Sequence, residues 1–126
     1  MPDKISVLLV DDHTLVRRGF RRILEDETDI KVVGEAGDGA EAVKLTDELR
    51  PKVIVMDCAM PGMNGLELCR LLADRGPHLP TILMTGRDDD HIKRMMREAK
   101  PIASLFKPFD EAVLLRAIRK AIFSAP

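Results

Sequence analysis

Short apolar runs alternate with longer stretches of helical period along this chain. "ISVLLV" (5–10), "IKVVGEA" (30–36), "KVIVMD" (52–57), "LPTILMT" (79–85) and "IASLF" (102–106) are each of strand length and rich in Val, Ile and Leu. Between them lie segments whose apolar residues recur at helical spacing. Over 13–25, Val16, Phe20, Ile23 and Leu24 share one face with arginines opposite. Over 37–50, Ala42, Val43 and Leu49 stand at helical spacing, and Pro51 stops the helix. Shorter helices are predicted over 66–75 and 88–99. A last one, over 110–123, turns Val113, Leu114, Ala117, Ile118 and Ala121 inward. "PGMNG" (61–65) is turn chemistry. The pattern is (βα)5. Fully apolar strands joined by helical crossovers predict an α/β fold, a parallel sheet covered on both faces. In such a sheet ligands bind beyond the carboxyl ends of the strands.

Length and composition narrow this little. The 126 residues are read as one domain, 1–126, with an ordered core from about 4 to 123 and a loose "SAP" tail. A net charge of −1 gives no sign of direct nucleic-acid or membrane binding, and no apolar run reaches membrane length. There is no visible secretory leader, so the expected location is cytoplasmic. Cys58 and Cys69 are too few for a disulfide framework and read as reduced thiols.

The chemistry gathers at one rim. The first strand runs into Asp11 and Asp12, the third ends in Asp57, the fourth in Thr85, and the fifth runs into Lys107-Pro108. Three converging carboxylates repel unless a cation joins them, and oxygen-only ligands favour a hard ion such as Mg2+. A lysine and a hydroxyl beside that ion complete a clamp on a phosphoryl group, with Asp57 as a carboxylate nucleophile. Taken singly, Asp11-Asp12 is a helix cap, Thr85 a strand end and Lys107 a solvated base; their joint position argues otherwise. His13, His78 and His91 look too exposed and too scattered to form a site. "GDGAEA" (37–42) fits the G-x-G-x-x-A dinucleotide fingerprint. However, Asp38 would face the pyrophosphate, and that reading leaves the acidic rim unused.

With "VDD" (10–12), "VIVMD" (53–57), "MPGMNG" (60–65), "MTG" (84–86) and "KPF" (107–109) in order, the whole chain resembles the CheY-like receiver domain of two-component response regulators. Its N-terminal half is most similar to receivers of helix-turn-helix, NarL/FixJ-type regulators. The resemblance implies a flavodoxin-like, doubly wound five-stranded sheet of order 2-1-3-4-5. It implies phosphorylation at Asp57 by a histidine kinase or phosphotransfer protein. Mg2+ would be held by Asp11, Asp12, Asp57 and the Ala59 backbone carbonyl, with Thr85 and Lys107 contacting the phosphoryl group. The chain is then a switch rather than an enzyme, catalysing only its own modification and its reversal.

Three finer expectations follow from the resemblance. Ala59 and Arg87 would modulate the lifetime of the phosphorylated state. Ser104 occupies the position where receivers usually carry an aromatic switch residue. The fourth helix, fifth strand and fifth helix would form the signalling face, through which a homodimer is also allowed for. Lys93, Arg94, Arg97, Arg116, Arg119 and Lys120 make that face basic.

Overall fold

The computed structural model describes residues 4–57, 67, 68, 71, 72, 79–85, 94, 103–106 and 110–124; at 103, 104, 106, 123 and 124 it describes the backbone alone. Strands β1 (Ile5–Val10), β2 (Ile30–Ala36), β3 (Val53–Asp57), β4 (Thr81–Thr85) and β5 (Ala103–Phe106) form one sheet of order β2-β1-β3-β4-β5. All four pairings are parallel. The described helices are α1 (Thr14–Glu25), α2 (Gly39–Leu49) and a last helix, Glu111–Ser124. Glu67, Leu68, Leu71 and Leu72 are helical within the predicted 66–75 segment, and Arg94 within 88–99. The rest of those two segments lies outside the described residues.

Two cores explain why the strands carry apolar residues on both faces. Successive side chains of a strand point to opposite faces. Val7, Leu9, Val53, Val55, Ile82 and Met84 pack on one face beneath Leu24, Leu114, Ile118 and Ala121. Leu8, Val10, Ile54, Met56 and Leu83 pack on the other with Ala42, Leu68 and Leu72. The sheet is therefore wound on both sides, as its composition predicts.

The helical faces differ in detail from expectation. Val16, Leu49 and Val113 are exposed, and each sits on the first or last turn of its helix. In α1 the burial begins only with Phe20 and Leu24. β2 carries an irregularity: Val7 pairs with Val32 but Leu8 with Gly34, leaving Val33 as the extra residue of a bulge. A Cβ on Gly34 would come within 2.8 Å of Leu49 Cδ1, so glycine lets α2 close on the bulge. At the end of α2, Arg50 adopts φ 47°, ψ 61° just before Pro51 and still donates its N–H to Thr46 O. Proline disfavours the right-handed helical region for its predecessor, so the helix ends there.

Candidate functional site

The parallel register builds the rim. Val10 pairs with Met56, and the ladder on the other side continues one residue beyond β1, where Asp11 N–H donates to Ala36 O. The next step past Val10 and Met56 sets Asp11 alongside Asp57. Asp57 in turn pairs with Met84, next to Thr85. Asp11, Asp57 and Thr85 are all buried, and Asp12 is partly exposed. Of the predicted site residues, these four are thus brought to the carboxyl end of the sheet. Thr85 pairs with Phe106, the residue before Lys107. Ala59, Arg87 and Lys107 lie outside the described residues, as does the side chain of Ser104.

The cluster holds one residue that the sequence reading set aside. One ligand atom from each of Asp11, Asp12, His13 and Asp57 lies within 4.8 Å of the others. His13 Nδ1 is 3.3 Å from Asp11 Oδ1 and 3.0 Å from Asp12 Oδ1. His13 is thus not too scattered to belong to a site. Exposure of its side chain made it look peripheral, yet its ring edge turns back onto the acids.

A second missed residue is Arg17. Its Nη1 donates to the carbonyl oxygen of Asp11, and its Nε donates to Glu35 Oε1 at 2.9 Å. One guanidinium thereby ties the main chain at the acidic pair to β2. Glu35 also accepts from Arg21 Nη1 at 2.6 Å, and Arg21 reaches Glu25 as well. Burial raises the carboxyl pKa of Glu35; hydrogen bonds from Arg21 and then Arg17, with their charges, outweigh it and hold it below the usual range. The signal available in the sequence was an arginine one helical turn past His13, on the helical face of Val16 and Phe20 rather than opposite it.

The site fits a divalent cation by a physical test. Asp11 Oδ2 is buried and finds no hydrogen-bond partner among the described residues. A buried carboxylate oxygen left without a donor is costly. A hard cation satisfies it and also offsets the repulsion between Asp11, Asp12 and Asp57.

The nucleotide alternative is met by the start of α2. Asp38 Oδ1 accepts from Glu41 N–H at 2.8 Å, and Glu41 Oε1 accepts from Gly37 N–H at 2.9 Å. This is a reciprocal cap, with two carboxylates where a pyrophosphate would need free amides.

Comparison with known proteins identifies the class. The family model of the response regulator receiver domain matches residues 7–119, and the chain belongs to that family. It is 43% identical to the transcriptional regulatory protein LiaR of Bacillus subtilis, across 97% of this chain and 58% of that protein. It is 42% identical to the response regulator UvrY of Escherichia coli, across 91% of this chain and 53% of that protein. Thus it spans about half the length of the curated relatives it matches. The signal receiver domain of the putative response regulator NarL from Mycobacterium tuberculosis superposes with a TM-score of 0.88 at 29% identity, over 98% of this chain and 99% of that one. Among the described residues no helix is long and apolar enough to cross a membrane.

Proposed function

We propose that this receiver domain accepts a phosphoryl group on Asp57 from the phosphohistidine of a sensor histidine kinase or phosphotransfer protein. The N–P bond of the donor breaks as an Asp57 carboxylate oxygen bonds to phosphorus, giving an acyl phosphate that water later hydrolyses. The reading is carried by one observation: Asp57 is buried at the end of β3 within the group of Asp11, Asp12 and His13.

Asp11 and Asp12, with the Ala59 carbonyl, would hold Mg2+ beside Asp57. When bound, Mg2+ supplies positive charge against which two anions can approach. Thr85 contacts the phosphoryl group through its hydroxyl, and Lys107 through its ammonium. Arg87, two residues after Thr85, slows hydrolysis by covering the group, while the small Ala59 leaves room for water. The chain turns over no separate substrate; its role is conformational, in the cytoplasm.

The output is a partner or an output domain. One relative is a transcriptional regulatory protein of which this chain spans 58%. By that analogy the signal passes from the face formed by the 88–99 segment, β5 and the last helix to a partner, a transcriptional output or a second copy. With Ser104 at the aromatic-switch position, this chain lacks the burial of a ring on activation, worth about 1.5–3 kcal/mol. The 86–91 loop and Thr85 carry the response instead.

Incubation with acetyl phosphate and Mg2+, read by intact mass, tests the reading. The wild type gains one phosphoryl group and Asp57→Asn gains none. An unmodified wild type would point to an interaction module that works without phosphorylation, and an undiminished gain in the variant would remove Asp57 from its role.

A further inference from the structure

The imidazole of His13 stands against the acidic cluster in an arrangement that capping does not explain. His13 is the N-cap residue of α1, with φ −92° and ψ 102°, and its side chain makes no hydrogen bond to the helix it precedes. Its backbone N–H already donates to Asp11 Oδ1 at 2.8 Å. The ring Nδ1 makes a long hydrogen bond of 3.3 Å with that same oxygen and comes within 3.0 Å of Asp12 Oδ1, which has no hydrogen-bond partner among the described residues. The approach to Asp12 is the closer of the two but is not directed as a donor–acceptor pair. Beside it, Asp11 is 2% exposed and its Oδ2 has no hydrogen-bond partner among the described residues.

Two ligands on adjacent corners of an octahedral ion, each about 2.1 Å from it, lie about 3.0 Å apart. The separations from His13 Nδ1 to the two acids, 3.0 and 3.3 Å, are close to that edge length. Asp57 offers a further oxygen within 4.8 Å of all three. A nitrogen donor adds little for Mg2+, which prefers oxygen. It adds a little for Mn2+ and much for Co2+, Zn2+ and Ni2+.

We propose that His13 Nδ1 is a metal ligand of this acidic site, so that the site takes borderline divalent cations as well as Mg2+, with a preference set by the ring. The inference rests on the cation reading of the site and adds the donor that selects among cations.

Pulsed electron paramagnetic resonance of Mn2+ bound to the untagged wild-type protein is the direct test, because only a coordinated imidazole gives nitrogen coupling. The expected result is a 14N modulation in the wild type that is absent in His13→Ala, which still contains His78 and His91. Titration with Ni2+ and with Mg2+ gives the second readout. His13→Ala and His13→Gln should each lose about tenfold or more in Ni2+ affinity while Mg2+ affinity stays within about twofold. A wild-type Mn2+ spectrum without nitrogen coupling overturns the proposal, and so does an equal loss for Ni2+ and Mg2+. In both cases retained Mg2+ binding leaves the reading of the acidic site standing. Failure of the wild type to bind Mg2+ at all overturns both.

Discussion

At the scale of single residues, Arg17 does what none of the acids can do for themselves. Its guanidinium holds the Asp11 carbonyl and the Glu35 carboxylate together, so the backbone that presents Asp11 and Asp12 is braced against β2. The side chain is 16% exposed, which leaves the ion pair only partly screened. Arg17→Ala should lower stability by about 1 kcal/mol, below the range for hydrogen bonds to charged groups because Arg21 still pairs with Glu35. It should also weaken Mg2+ binding several-fold by loosening Asp11. Arg17→Lys should recover little, since one ammonium on a flexible stem cannot reproduce a fork that reaches two acceptors. Urea unfolding and Mg2+ titration of both variants check this. If either variant binds Mg2+ like the wild type, Arg17 only stabilises the fold. Asp12→Ala is the complementary case. Asp12 is exposed enough for its loss to spare the fold, so Mg2+ affinity should fall while the urea midpoint moves little.

At the scale of elements, the last helix is pinned to the start of β2 by one residue. Arg119 donates from Nη2 to Glu27 Oε1 at 2.7 Å and from Nε and Nη2 to both oxygens of Asp29 at 2.9 Å. The basic face expected here is narrowed accordingly: Arg119 is committed to two acids, Arg94, Arg116 and Lys120 are exposed, and Lys93 and Arg97 lie outside the described residues. Arg119→Ala should cost about 0.5–1 kcal/mol near neutral pH, and less in high salt. The Arg119 hydrogen bond holds the Asp29 carboxyl below its ordinary value of 3.8. A depressed carboxyl stabilises the fold above its unfolded pKa and stops doing so as pH falls through the folded one. The gap between wild type and variant should therefore close below about pH 4. Urea midpoints at neutral and acid pH measure it, and a gap that persists in acid would mean lost packing rather than lost charge.

The elements themselves were legible because the strands, β2 apart, are apolar on both faces and the helices on one. β1 and β2 fall where the pattern put them, and the three strands after them differ by no more than two residues at a boundary. What the pattern missed is set by side-chain reach. Arg17 belongs to the helical face that was scored for apolar residues alone. The ring of His13 turns back over a kink that periodicity does not describe.

At the scale of the whole molecule, two apolar cores hold the sheet and thereby force three carboxylates together at its rim. Asp11 and Asp57 are 2% and 5% exposed, so water screens their repulsion poorly. The fold tolerates a local cost there that a cation would remove. The melting temperature should report this. A ligand that binds the folded chain alone adds about 2.7 kcal/mol at a hundred times its dissociation constant, which for a chain of this size is on the order of 10 °C. Asp57→Asn removes one charge and keeps the shape. In the presence of a chelator the variant should melt above the wild type, because the repulsion is relieved. Saturating Mg2+ should then raise the wild type far more than the variant, so that the order narrows or reverses. Calorimetry of the two proteins with chelator and with Mg2+ gives four melting temperatures. Equal Mg2+ shifts, together with no gain for the variant in chelator, would mean that the rim carries no electrostatic strain and that the three acids do not share an ion.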